Sequence, residues 1–506
     1  MRQAALAFAS AVLLAGPTAI AFFSGGYFDT PRLWGLAFAW LLVLIAVVCV
    51  PRPFPSSLAG RLVLAGMAAL TAWTAISLLW APLSGAALDD VQRLLLYLGV
   101  LIAAVALLGR VPARRAVEPA LGLGACVVVG YGVAGRLLPG LIDPAISLRA
   151  GGRLDQPLTY WNGVGALAAF GFVLCAHLLA DRSRLAWLRA VAAAACGPLA
   201  LGLYLSYSRG AIAGLVLGVL VILAVDPTRA TLRSLGVALA VGVGAVVAGA
   251  PFDGVADLTG SPSHREQQGL VALVLLLAVM AVGAALAAWS ARSDARTHGA
   301  DADRRLPGAR LLPAAAVAAA VAALCIVVAG GIAERAGDAA RTDRQDAGRL
   351  TSLQSNRREY WRVAIEAFAD RPVQGLGSGG FRVRWLQDRP IPEVVRNAHS
   401  LPLETAAELG LVGLLALLTL LGGAALAAAR ALARRPALTG GWVAACSVFL
   451  LHACMDWGWQ MPAVALPFLV LVGALVAAAQ EPSVAAGEGA DAGAGAGEDV
   501  LVAESA

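Results

Sequence analysis

Apolar residues in this chain come in long unbroken runs separated by short polar breaks. The runs lie at roughly 4–23, 33–50, 62–80, 92–109, 118–138, 161–181, 187–205, 210–225, 232–250, 268–290, 311–331, 405–429, 440–456 and 462–480. About 18 or more apolar residues suffice for a helix to cross the hydrocarbon of a bilayer. A membrane strand would alternate apolar and polar positions, and these runs do not. The pattern predicts an all-α polytopic membrane protein with about 12–14 transmembrane helices, the runs at 210–225 and 440–456 being the shortest. The first run follows one arginine and contains Pro17, features shared with signal peptides, but with so many later spans it is expected to be an uncleaved first helix.

One interval breaks the rhythm. Residues 332–404 form a loop too long to be a mere connection, and loops of that length are functional or disordered. This one carries local order. "NRREYWRVAIEAFADRP" (Asn356–Pro372) spaces Trp361, Ile365 and Phe368 along one helical face, with Pro372 as the stop. "GLGSGGF" (Gly375–Phe381) reads as a flexible turn followed by an aromatic anchor. The expectation is a large, partly helical external loop lying as a cap on the membrane surface. The chain then divides into N-terminal spans (1–150), central spans (151–331), the loop (332–404), C-terminal spans (405–480) and a Gly/Ala/Glu-rich tail (481–506). That tail has little to bury and is expected to be disordered and cytoplasmic.

Composition supports the membrane reading. Of 506 residues 59% are hydrophobic and only 14% charged, with a mean hydropathy of +0.77, too little polarity to cover a soluble surface. The net charge of +6 comes from 38 arginines and no lysine. They are scattered through loops and form no basic block, so nucleic acid is not an expected partner. Their distribution sets the orientation. With the N-terminus inside, nineteen fall in inner segments, while the short outer segments hold Arg32, Arg93, Arg136, Arg149, Arg153, Arg209 and Arg265. That asymmetry places both termini in the cytoplasm and the long loop outside. The seven cysteines (Cys49, Cys126, Cys175, Cys196, Cys325, Cys446 and Cys454) all fall in predicted spans, an odd number with no metal-site spacing.

Four polar groups stand out at the outer ends of spans. "LSYSRGA" carries Ser206, Ser208 and Arg209; the arginine either snorkels at a helix end or pairs bidentately with an anionic headgroup. "RLDQPLTYWNG" brings Arg153, Asp155, Tyr160, Trp161 and Asn162 together. Its aromatics suit ordinary interface anchors, and Asn162 suits a bond between helices. "HACMD" sets His452 and Asp456 one turn apart, either paired with each other or with an arginine to hold helices together, or as a functional site. In "NAHSLPLETAAELGLVG" (Asn397–Gly413), His399 precedes Pro402, which suits a first helical turn. Glu404 and Glu408 follow near the positive end of the next helix, and Gly410 and Gly413 would let another backbone approach closely. A lone loop histidine is ordinarily solvated and idle, but these neighbours fix this one at the headgroup level.

At these residues the chain resembles the O-antigen ligase/polymerase family of bacterial membrane glycosyltransferases. The shared marks are His399-Ser400, nine residues, then Gly410-Leu-Val-Gly413; the "SYSRGA" element with Arg209; and, in the loop, an arginine four residues before Trp361 followed by Pro and Gly-x-Gly. That spacing selects Arg357, with Arg358 beside it. The likeness spans roughly residues 150–460. It implies a metal-independent, inverting transfer, with no cofactor, of a glycan from a polyprenyl diphosphate carrier to an acceptor hydroxyl. The acceptor would be a glycan, lipid or protein, at the outer face of the cytoplasmic membrane and in contact with its lipid. On that basis His399 is the expected general base, and Arg209, Arg357 and Arg358 are expected to bind the donor diphosphate. Glu408, Asp456, Arg153 and Asn162 form a second tier of candidates. Both ligases and polymerases fit these marks.

Two other classes compete. A metal-dependent lipid-linked glycosyltransferase would want carboxylates in the first external loop, which offers Asp29 alone; the one Asp-x-Asp, Asp301–Asp303, falls in an inner segment. A transporter or flippase would concentrate polar residues near the bilayer midplane and repeat internally, whereas here they gather at span ends.

Overall fold

The computed structural model describes residues 2–142, 150–296, 305–333 and 356–480. Arg149, Asp301–Asp303, the loop segment 334–355 and the tail 481–506 lie outside the described residues. Every predicted apolar run coincides with a helix: Arg2–Ala21 (α1), Asp29–Cys49 (α2), Leu58–Ser77 (α3), Ser84–Leu107 (α4), Val111–Leu137 (α5), Trp161–Ala180 (α6), Ala186–Leu205 (α7), Arg209–Val225 (α8) and Arg229–Gly249 (α9). After a single turn at Asp253–Ala256 (α10) come Pro262–Arg296 (α11) and Leu312–Ala333 (α12). The cap contributes Arg357–Asp370 (α13) and Gly380–Asp388 (α14). The chain then returns through Leu401–Arg434 (α15), Pro436–Met455 (α16) and Pro462–Ala478 (α17). Eleven of these helices are long and apolar enough to cross a membrane, and α8, α12 and α17 contain shorter apolar stretches.

Helix ends differ from run ends where polar residues find partners inside the protein. α4 starts at Ser84, a full two turns ahead of its apolar run. The polar residues in that extension are paired: Arg32 bonds Asp29 at 2.7 Å and Asp89 at 2.6 Å, and Arg93 meets Asp90 at 2.7 Å. Hydropathy marks what lipid tolerates, while the backbone ladder continues wherever side chains are satisfied.

Successive spans alternate in direction, so the connections gather at two ends. At one end, Ser56 N–H donates to Gln480 Oε1 (2.9 Å), Arg115 Nη2 to the Ser183 carbonyl (3.2 Å), and Leu306 N–H to the Pro227 carbonyl (2.7 Å). The other end, called the site end below, holds α13, α14 and the residues that flank them. α6 and α17 run through the centre, buried on nearly every face, as expected of helices that are apolar all round. α2 and α11 display Leu41, Val48, Leu277 and Val282 outward, a surface suited to lipid. α3 and α15 make a close backbone approach through Gly66 and Gly423: a methyl group on Gly66 would lie 2.3 Å from Leu420 N, and one on Gly423 2.7 Å from Val63 N.

Gly410 has a different role from the helix packing expected of it. It interrupts α15 with φ 63° and ψ −160°, a backbone region open essentially to glycine alone. The cap's 372–377 segment inserts into that break. Leu376 N–H bonds the Ala407 carbonyl (3.0 Å), Gly377 N–H bonds Glu408 O (2.8 Å), and Leu411 N–H bonds Pro372 O (2.7 Å). The backbone groups released by the kink are thus re-satisfied by the loop, and "GLGSGG" is a fitted plug instead of a flexible turn. Trp73 Nε1 adds a bond to the Leu409 carbonyl at 2.9 Å. A close backbone does approach, as expected, but it belongs to the loop. Gly410→Ala should therefore destabilise the protein by about 1–3 kcal/mol or more, since a Cβ there would sit 2.3 Å from the Val373 carbonyl oxygen. The measurement is the melting temperature together with protease cutting in 372–381; an unchanged pattern of both would refute the plug.

α13 also departs from expectation in its buried face. Tyr360, Val363, Ala364 and Ala367 turn inward with Trp361 toward Phe381, Trp385 and Ala407, while Ile365 is 55% exposed. The inward face is offset by one position from the one chosen on sequence because α13 packs against α14 and α15. The predicted stop holds: the helix ends at Asp370, two residues before Pro372.

Candidate functional site

His399 sits between the cap and α15 in a left-handed backbone conformation, φ 53°, that a non-glycine residue adopts only when its surroundings impose it. Glu404, buried one turn into α15, supplies that constraint. Its Oε2 accepts from Ala398 N–H (2.9 Å) and its Oε1 from Asn397 Nδ2 (3.1 Å), pinning the two residues before the histidine. Gln460 Nε2 donates to the same Oε1 at 2.5 Å, tying the His399 segment to the turn that follows α16. Tyr360 of α13 lies against the imidazole with ring centroids 5.1 Å apart, and its hydroxyl donates to Glu393 at 2.6 Å.

The imidazole's own bond fixes its tautomer. His399 Nδ1 is 3.0 Å from the Asn397 carbonyl oxygen, which can only accept, so Nδ1 carries the hydrogen and Nε2 keeps its lone pair. Burial pushes the His399 pKa down from its ordinary value near 6.5; Asp456 pulls it up and Arg357 pushes it down further. The net effect keeps the ring neutral, with a basic nitrogen, at neutral pH.

Asp456 is the hub of the same end. It is not part of α16: its φ of −155° and ψ of 168° place it in extended backbone just past the helix. Its carboxylate, 2% exposed, accepts from Arg357 Nη2 (2.8 Å), Asn162 Nδ2 (2.6 Å), the Tyr160 hydroxyl (2.5 Å) and the Trp457 N–H (2.8 Å). Burial alone would raise its pKa, but the Arg357 charge, the two histidines and the Tyr160 bond bring it to about 2. Burial and the Asp456 charge push Tyr160 well above the usual phenol range, so it stays a neutral donor.

Of the two pairings open to Asp456, with His452 or with an arginine, the structure takes the arginine. Asp456 has turned out of the helical register toward Arg357, and His452, 1% exposed, has no hydrogen-bond partner for either ring nitrogen among the described residues. His452 faces the start of α8, where a methyl on Gly210 would lie 3.7 Å from its Cδ2. That contact brings Arg209, the first residue of α8, to the same end as Asp456; the Ser208 hydroxyl caps the helix by accepting from Ala211 N–H at 3.4 Å.

The remaining candidates separate. Of the adjacent pair, Arg357 makes the Asp456 bond, with Arg358 one position further along α13. Asn162 joins two helices, as its chemistry suggested, and does so through Asp456. Arg153 stacks over Trp161, its guanidinium carbon 3.7 Å from the ring centroid, while Nε donates to the Ala150 carbonyl at 2.9 Å. Glu408 braces the cap, accepting from Phe381 N–H at 3.1 Å; Glu404, one turn earlier, is the carboxylate next to His399. Tyr160 is not an interface anchor but a buried member of the hub, with Trp457 packed on it at 4.2 Å. Sequence reasoning passed over Tyr360, Glu393, Glu404 and Gln460 as site residues. Of these only Glu404 had a sequence signal, its place in the first turn behind His399. Among the described residues no group of three or more His, Cys, Asp or Glu side chains is arranged to hold a metal ion.

A bundle of apolar helices, with a cluster of polar side chains at its site end beneath a helical cap plugged into a broken span, defines a polytopic membrane protein. Residues 194–418 match the family model described as O-Antigen ligase, and the match supports the O-antigen ligase/polymerase family and a membrane glycosyltransferase-like role in polysaccharide assembly. The matched stretch holds Arg209, Arg357, Arg358, His399 and Glu408; Tyr160, Asn162 and Asp456 join the site from outside it. A comparison with curated proteins finds no match.

Proposed function

We propose that the protein transfers a glycan from a polyprenyl diphosphate carrier to an acceptor hydroxyl at the outer face of the cytoplasmic membrane, with inversion and without a metal ion. The observation that carries this reading is His399 itself. A neutral imidazole held by a carbonyl on Nδ1, in a backbone conformation enforced by Glu404, presents Nε2 as a base beside an anchored guanidinium. In the proposed step the acceptor oxygen attacks the anomeric carbon while its proton passes to Nε2. The carbon–oxygen bond to the diphosphate breaks with its electron pair, and the leaving group departs as an anion. Arg357, oriented by Asp456, and Arg209, at the N-terminus of α8, hold the developing charge. Arg358 belongs to the same cationic edge. The carrier's apolar tail lies among the spans.

The test is transfer by purified protein in lipid nanodiscs, supplied with polyprenyl-diphosphate-linked glycans and candidate acceptors, with carrier diphosphate release as readout. Transfer that persists in chelator supports the scheme; activity lost to chelator and restored by a divalent cation overturns it. Sidedness has its own test. Gln387, exposed on α14, replaced by cysteine in a background lacking the seven native cysteines, should react in intact cells with a membrane-impermeant maleimide. Labelling only after lysis would refute the external cap.

Glu404 acts through His399 and is a positioning residue. Glu404→Ala should lower transfer by about tenfold, or ~1.4 kcal/mol of transition-state stabilisation, by releasing the Asn397–Ala398 backbone. KM for the donor should change little, which distinguishes loss of positioning from loss of donor binding.

A further inference from the structure

Beside the site, a polar cavity of about 300 Å³ opens between the C-terminal turn of α5, the 153–156 segment and the start of α11. Arg136, Arg153, Asp155, Arg265 and Glu266 line it. Two of its guanidinium groups are engaged with backbone: Arg136 donates to the Val255 carbonyl at 3.1 Å and the Gly152 carbonyl at 2.5 Å, and Arg153 to Ala150 as above. Asp155 and Arg265 are different. Asp155 is 4% exposed, yet its Oδ2 has no hydrogen-bond partner among the described residues, and neither has the buried Nε of Arg265. A buried polar atom left unpaired costs about 1–3 kcal/mol, and both side chains belong to the cavity's lining.

Three guanidinium groups and two carboxylates around one space exclude simple ions. An anion would meet Asp155 and Glu266, and a cation would meet the three arginines. The group that suits both kinds of lining side chain is a hydroxyl, or two neighbouring hydroxyls, which donate to a carboxylate and accept from a guanidinium. The space is far larger than the ~15 Å³ that one water needs, and it falls at the lower end of the ~300–1,000 Å³ typical of small-molecule sites. The wall between cavity and site is thin. Arg153 lines the cavity and stacks on Trp161, Trp161 packs on Tyr160 with centroids 5.2 Å apart, and Tyr160 bonds both Asp456 and, through its N–H, the Asp155 carbonyl at 3.1 Å.

We propose that this cavity is a saccharide subsite in which Asp155 and Arg265 bind adjacent hydroxyls of a neutral sugar ring, one or more units removed from the reacting sugar. The choice of a sugar among hydroxyl-bearing ligands rests on the proposed transferase reading. The subsite makes the protein a reader of glycan identity as well as a catalyst, since a ring whose hydroxyls do not meet both groups leaves one of them unpaired.

The experiment uses the full chain in nanodiscs and saturation-transfer NMR with maltose, lactose, mannobiose and chitobiose as probes, alongside inorganic pyrophosphate. Ring-proton saturation from at least one disaccharide, reduced fivefold or more in Asp155→Ala and in Arg265→Met and not displaced by pyrophosphate, is the expected result. Arg265 is partly exposed, so its variant decides the matter should Asp155→Ala fail to fold. Absence of saturation from every sugar, equal signals in wild type and folded Arg265→Met, or displacement by pyrophosphate would overturn the subsite. In the transfer assay Arg265→Met should raise KM for the glycan about tenfold with kcat unchanged. Sugar binding in a protein that transfers nothing sinks the transferase reading alone; transfer with no saccharide signal sinks the subsite alone.

Discussion

His399→Ala is expected to lower glycan transfer by roughly 10²–10⁴-fold, the usual contribution of one positioned general base. Fold and donor binding should survive, because among the described residues the imidazole's hydrogen bond is to the neighbouring Asn397 carbonyl and the structural ties of that segment run through Glu404. His399→Gln keeps a polar side chain but no basic nitrogen, and should be as inactive as alanine. The pH profile gives a second readout. The base works unprotonated, so activity falls as pH drops through the histidine's pKa. Burial lowers that pKa below the ordinary 6.5, with Asp456 opposing and Arg357 reinforcing. The acid limb of kcat/KM should therefore lie below 6.5. A bound diphosphate adds negative charge near the ring and should move the acid limb of kcat upward relative to kcat/KM. A variant at position 399 with wild-type rate, or an acid limb unmoved by His399→Gln, would remove the histidine from the chemistry.

What the sequence revealed and what it hid divide along a physical line. Hydropathy is a local property, so every apolar run was legible and each corresponds to a helix. Helix ends were not, because partners such as Arg32 with Asp89 lie 57 residues apart. Spacing rules see neighbours within about one turn; they set Asp456 beside His452 and left its alternative partner an unnamed arginine. The true partner, Arg357, is 99 residues away, and Asp456 leaves the helix to reach it. The break at Gly410 was hidden for the opposite reason: the apolar pattern runs straight through it, and only the backbone of residues 372–377 shows why a glycine is required. Glu404 and Glu408, one turn apart, looked equivalent, yet one holds the histidine's segment and the other holds the cap. That the His399 segment is tied to the start of the next helix was legible from its neighbours; its left-handed backbone was not.

Arg357→Ala should cost about 3–5 kcal/mol of stability, because it strips the cation from a carboxylate buried in a polar hub. Asp456 would keep its bonds from Tyr160 and Asn162, which places the loss toward the lower end. The double variant Arg357→Ala/Asp456→Asn removes the uncompensated charge and should recover much of the melting temperature while transfer stays low. That split separates the two duties assigned to Arg357: neutralising Asp456 is structural, whereas holding the donor diphosphate needs the guanidinium itself. The pH dependence follows from the same pair. The folded Asp456 pKa of about 2 lies below the ordinary carboxylate value of 3.8, so the pair's stabilisation is fully present above that ordinary value and is lost as pH falls toward about 2. Asp456→Asn should flatten stability between about pH 4 and 2 relative to wild type. Recovery of transfer together with stability in the double variant would show that Arg357 serves only the fold, leaving Arg209 and Arg358 as the cations for the leaving diphosphate.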